Sequence, residues 1–203
     1  LFNLYLGLVL FGVSMAMFVQ AGLGLVPWDV FHQGISRHTG LSLGDASIAV
    51  GAVVLLLWFP LRERPGLGTV SNVFVIGLTL DAGIRWLPVP TLLGLRIAMM
   101  LAGILLNAFA TLLYINARFG SGPRDGLLTG LLRITGLPAG VLKTGIEITV
   151  IVIGWLLGGT VGVGTVAFAV CVGPVIQLLS WAVPRLALKP APPVVPALDP
   201  VPV

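Results

Sequence analysis

Ala21-Gly22-Leu23-Gly24-Leu25-Val26-Pro27-Trp28-Asp29 has a counterpart about 96 positions further on, Ala117-Arg118-Phe119-Gly120-Ser121-Gly122-Pro123-Arg124-Asp125. The correspondence extends in both directions. Residues 21–81 fall on 117–177 without a gap, with identity at about 17 places. Gly34, Arg37, Thr39, Gly40, Leu41 and Gly44 meet Gly130, Arg133, Thr135, Gly136, Leu137 and Gly140. Gly66-Leu67-Gly68-Thr69-Val70 then meets Gly162-Val163-Gly164-Thr165-Val166, and Gly77 meets Gly173. Agreement at polar and turn residues, not only at apolar ones, is the mark of a duplicated unit.

Each unit reads in one order. A long apolar helix (about 4–20, then 92–116) precedes a glycine-bearing polar segment (22–43, 118–138), and two more spans follow. Those spans are 46–60 and 68–87 in the first copy, 139–157 and 164–183 in the second. Runs of this length suit a hydrocarbon core about 30 Å thick. Composition agrees: 57% of the residues are apolar, 9% are charged, and mean hydropathy is +1.09, against roughly 25% charged in a soluble domain. The expectation is an all-α membrane protein with six transmembrane helices.

The polar segment sets the topology. Pro27 and Pro123 suit a first helical position, Asp29 and Asp125 a first turn, and Gly40 and Gly136 an end. The intervening helix of about 10–12 residues is roughly 15–18 Å long, too short to cross. It must be a re-entrant half-helix or lie at the interface. Three crossings per unit then turn the second copy upside down, giving two inverted three-helix repeats over 1–90 and 91–187. Charge placement agrees: Arg62, Arg64, Arg118, Arg124, Arg133, Arg185 and Lys189 fall on one side, Arg37, Arg85 and Arg96 on the other. The excess marks the first side as cytoplasmic, with both termini there. No secretory signal is evident in the first residues, and Leu4–Val19 is read as a retained span. Residues 188–203 are Pro-rich and read as an extended, disordered tail.

The stretch from Ala21 to Gly34, followed by Thr39-Gly40-Leu41-Ser42-Leu43-Gly44, resembles the bacterial YczE-like membrane family, which is related to the YitT-type membrane proteins. The resemblance covers nearly the whole chain up to the tail. It implies a bacterial cytoplasmic-membrane protein, and it carries over no catalytic or ligand-binding residue. Arg124 stands where the signature has Trp28, so the halves are not equivalent.

Several polar residues are candidates for function, each with a structural alternative. Asp29 and Asp125 either line a permeation route, where broken helices of inverted repeats meet near the midplane, or cap their own helix starts. Glu147 lies about 12 Å into its span, where charges usually face a cavity or a partner. Lys143 stands one turn earlier on the same face and could pair with it. Gln20 and Asn116, matched by the repeat, could satisfy freed backbone groups or contact a solute. Asp81 is expected to pair with Arg85 at the membrane boundary, and Arg37 and Arg133 to complement helix dipoles. The tryptophans are expected to form an interfacial belt.

Other chemistries lack their residues. His32 and His38 are not on one helix face and no ligand cluster accompanies them, so no metal is expected. No Ser, His and Asp arrangement suggests a nucleophile, Gly66–Thr69 lacks the Lys of a phosphate loop, and the single Cys171 excludes an internal disulfide. Neither cofactor nor nucleic acid is expected, and the scattered basic residues answer to membrane orientation. The expectation is a small secondary transporter or facilitator for a small polar solute or ion, not an enzyme. The alternative is a binding or accessory subunit serving a separate energising or biosynthetic partner. A homo-oligomer is compatible with either.

Overall fold

The computed structural model describes residues 1–183. Arg185, Lys189 and the proposed tail at 188–203 lie outside them. The described residues form eight α-helices. These are α1 (Phe2–Ala21), α2 (Pro27–Thr39), α3 (Leu43–Leu57), α4 (Leu67–Trp86), α5 (Leu93–Asn116), α6 (Pro123–Thr135), α7 (Ala139–Leu156) and α8 (Val163–Ala182). The duplication is visible in the boundaries: α2 and α6, and likewise α4 and α8, begin and end at positions matched by the sequence repeat.

α1, α4, α5, α7 and α8 are long and apolar enough to cross a membrane, and a sixth span results only if α2 and α3, bent by 109° at their junction, are counted together. The expected independent span at 46–60 is therefore shorter than anticipated. Pro60 accounts for this: it disfavours helical geometry at Phe59, and α3 stops at Leu57. Its 15 residues reach about 22 Å. The equivalent position in the second copy is Leu156, and α7 runs up to it.

The short helices start and stop as their residues dictate. Pro27 and Pro123 occupy the first turn, and Gly40 and Gly136 close the helices in the left-handed conformation at φ 73° and 66°. α1 packs along α4 and α5, burying Leu4, Leu8, Met15, Phe18, Leu80 and Ile104. α1 and α5, equivalent by repeat, run antiparallel. Gly7 near the start of α1 abuts the backbone of Tyr114 near the end of α5, while Arg96 in the first turn of α5 reaches the far end of α1. There its Nε and Nη2 donate to the carbonyls of Ala21 and Gly22, both at 2.6 Å.

The halves also exchange elements. α2 packs on α7 and α6 on α3, each across the repeat boundary. The Gly68 amide donates to the Phe119 carbonyl and, by repeat, the Gly164 amide to the Leu23 carbonyl, both at 2.7 Å. Gly24 and Gly120, at φ 117° and 116°, hold the chain in a conformation open only to glycine, and each rests on the glycine that opens α8 or α4. The Gly66–Thr69 turn and its copy are closed by Thr69 and Thr165, whose Oγ1 atoms accept from the amides of Gly66 and Gly162 at 3.1 and 3.2 Å.

Candidate functional site

The first turns of α2 and α6 face one another. The Arg124 guanidinium lies 4.7 Å from the centroid of the Trp28 ring, so the unlike residues between the repeated Pro and Asp meet as a cation on an aromatic face. Around this contact is a cavity of about 280 Å3. Its walls obey the repeat: Ser47 and the equivalent Lys143, Gly51 and Glu147, and Asn72 and Phe168 all line it. The chemistry does not obey it. Arg124, Asp125, Lys143 and Glu147 all come from the second half, and the first half opposes them with Phe11, Val50, Val54 and the Trp28 ring. Polar residues on the first-half wall are His32, Ser47 and Asn72.

Asp125 reaches the cavity, where its Oδ2 accepts from the Tyr114 hydroxyl at 3.0 Å. Asp29 does not line it. It is fully buried, and its Oδ1 lies 2.9 Å from Nδ1 of His32, one turn on. The repeat-matched aspartates thus part company. Neither is held chiefly as a cap: one is a solvent-reached carboxylate, the other half of a buried carboxylate–imidazole pair. His32 contributes to the cavity wall although its side chain is only 1% exposed. Asp29 Oδ2 and His32 Nε2 are buried without a hydrogen-bond partner.

Lys143 and Glu147 both line the cavity, and no ion pair joins them among the described residues. Gln20 stands apart from the cavity: its Nε2 donates to the carbonyls of Ile84 and Leu87, satisfying the frayed end of α4. Asn116 is likewise outside the lining, at the end of α5. Three further expectations are corrected. Asp81 does not hold Arg85; its carboxylate accepts from the Ser42 hydroxyl at 2.5 Å and from the Gly44 amide at 2.8 Å, clamping α3 to α4. Trp58 is not in an interfacial belt; it is 2% exposed and its Nε1 donates to the Pro123 carbonyl at 3.0 Å. Arg124 is not a flanking charge but part of the cavity. Arg37 and Arg133 do sit in the last turns of α2 and α6, and each also donates across the repeat boundary, to the carbonyls of Gly158 and Leu61 respectively. His32 was legible only as a missing metal ligand, although an Asp three residues before a His on one helix is a signal for pairing.

A seam distinguishes the halves. In the first, α3 lies tightly on α4: a Cβ on Gly77 would stand 2.7 Å from the Gly44 carbonyl oxygen. In the second, α7 and α8 have at most a marginal contact. A Cβ added to Gly140 or Gly173, the equivalents, would meet nothing within 4 Å. Gln177, where Asp81 would stand, is exposed. The cavity is bounded at this seam by Lys143, Ile146 and Glu147 of α7 and Phe168, Val172 and Ile176 of α8.

Residues 1–180 match the family of unknown function DUF6198. The chain belongs to that family. It is 41% identical over 183 residues to an uncharacterized protein of Haemophilus influenzae, covering 90% of this chain and 84% of that one. It is 33% identical over 203 residues to the uncharacterized membrane protein YczE of Bacillus subtilis, covering 94% of each. A third relative, the uncharacterized protein YyaS of Bacillus subtilis, is 23% identical over 172 residues, 83% of this chain and 85% of that one. No solved structure matches. The YczE-like resemblance read from the glycine and Pro-Trp-Asp signature is borne out, and the chain is a multi-pass membrane protein with several apolar helices.

Proposed function

We propose that this protein is a secondary transporter or facilitator for a small polar solute or ion, working by alternating closure of two equivalent seams. The observation that carries the reading is the unequal packing of α3–α4 and α7–α8. Two copies of one unit have the same glycines at the seam, one pair in tight contact and the other open, with a cavity between them. A repeat that can adopt both packings offers two states of similar energy, and exchanging them between the halves moves the opening from one seam to the other.

The topology that goes with this reading is a pair of inverted repeats in a bacterial cytoplasmic membrane, with α2 and α6 as half-helices entering from opposite faces and both termini cytoplasmic. Antiparallel α1 and α5, the exchange of half-helices, and the Trp28–Arg124 contact support it. Non-spanning helices at that depth are tolerated where protein and an aqueous cavity cover their ends. Arg124, Asp125, Lys143 and Glu147 would bind the solute against the Trp28 wall. The proposal assigns no catalytic chemistry.

The test is osmotic swelling of proteoliposomes against a panel of sugars, amino acids, polyols and inorganic ions. The protein is expected to pass at least one of them faster than protein-free liposomes do. In a Cys171→Ala background, oxidised Gly140→Cys with Gly173→Cys is expected to close the seam and stop the flux, with recovery on reduction. A panel with no accelerated solute would overturn the reading, as would full flux through the cross-linked protein.

A further inference from the structure

We infer that the Asp29–His32 pair is a proton-binding site in the wall of the cavity, with Nε2 of His32 as the atom that takes the proton. The pair is built for this. Its two side chains are 0% and 1% exposed, one turn apart on α2, and joined at 2.9 Å. A carboxylate accepts from Nδ1–H, which fixes the neutral imidazole in the tautomer whose Nε2 carries a lone pair. That Nε2 is buried and has no partner, although the imidazole lines the cavity. Buried polar atoms are nearly always satisfied, and an orphan nitrogen in a cavity wall is open to a proton.

Charge balance gives the same answer. With the imidazole neutral, the buried pair carries one negative charge; adding a proton to Nε2 makes an imidazolium carboxylate pair of zero net charge. The elements around the pair supply charges that respond to this change. α6 brings Arg124 and Asp125, α7 brings Lys143 and Glu147, and α5 brings Tyr114; α3 and α8 face the cavity with Ser47 and apolar residues. Arg124, stacked on Trp28 one position from Asp29, is the cation that offsets the unprotonated state. Protonation of Nε2 frees Arg124 from that task and leaves it to a solute anion or to Asp125. The proton comes from water on whichever face the cavity opens to and leaves from Nε2 to the other, so the step needs no co-reactant. Proton binding by the pair is independent of transport; its use as the coupling site rests on the transport reading above.

The chain has two histidines, so His38→Asn leaves His32 as the sole imidazole. The experiment is nitrogen NMR of 15N-histidine-labelled His38→Asn protein in lipid nanodiscs, followed across pH. The expected result is a neutral form protonated at Nδ1 and an Nε2 resonance that moves reversibly as the proton binds. Adding Asp29→Asn is expected to weaken proton binding about tenfold or more, because the compensating carboxylate is gone. An Nε2 resonance that stays fixed from about pH 5 to 8 would overturn the site. A midpoint unchanged by Asp29→Asn would overturn the role of the pair. A titrating His32 in a protein that passes no solute would leave the proton site standing and remove only the transport reading.

Discussion

Substituting the same residue at two repeat-equivalent positions tests the seam asymmetry. Gly77→Ala adds a methyl 2.7 Å from the Gly44 carbonyl oxygen and within 3 Å of the Ile48 side chain. Contact at that range forces α3 and α4 apart, at a cost of about 1–3 kcal/mol. Removing a glycine from a helix returns about 1 kcal/mol. The net effect of Gly77→Ala is a destabilisation of roughly 0–2 kcal/mol. Gly173→Ala meets nothing within 4 Å beyond its chain neighbours, and Pro174, the next residue of α8, offsets the favourable helix term. The two variants should therefore differ by about 1 kcal/mol, which for a chain of this length is roughly 2–4 °C in Tm. Thermal unfolding in detergent, read by tryptophan fluorescence, measures the difference directly. Gly173→Ala should also hinder closure of α7 on α8, so spin labels at Val141 and Val170 should report a wider mean separation than in the parent. Equal shifts in Tm for the two variants would refute the claim that the seams are packed differently.

Trp58→Ala removes a fully packed ring and its hydrogen bond to Pro123, and should cost about 3–5 kcal/mol, seen as a large fall in Tm. Arg96→Gln breaks two hydrogen bonds to the end of α1 and should destabilise by about 2 kcal/mol or more, measured by the same unfolding scan. Lys143→Met and Glu147→Gln should leave Tm within about 1–2 °C, because neither side chain is fully buried and no ion pair joins them, while reducing solute flux in proteoliposomes. A fall of several degrees in either would mean that these charges hold the fold together.

The duplication, the short helices α2 and α6 and their glycine ends were legible because they rest on local rules: Pro at a helix start and Gly in the left-handed conformation at its end. The cavity was partly legible, since Asp125, Lys143 and Glu147 could be singled out as charges inside apolar segments. What one position contributes could not be read from its repeat partner. Asp29 and Asp125 occupy equivalent places, yet His32 follows one and Leu128 the other, and that difference sends the first carboxylate inward. Trp58 and Gly126 illustrate the same limit. The ring fills the space against Gly126, whereas in the other half Gly154 lies against the backbone at Val30 and Phe31. Large and small have changed places between the copies, and only the packed pair reveals it. Pro60 marks a helix end in the sequence, and the span it leaves, 15 residues of α3, is set by how far back from it the helix stops.

The exchange of short helices between the halves bears on how such a protein could arise. Each short helix packs on both halves, α2 on α7 and α3, and α6 on α3 and α7. Part of the surface of each copy is covered by the other, as it would be if two separate chains of one unit paired. The copies differ most at the cavity, where the charged lining residues come from the second one. A gene cut between α4 and α5 should still give a working protein when both fragments are made in one cell, and neither fragment should accumulate by itself.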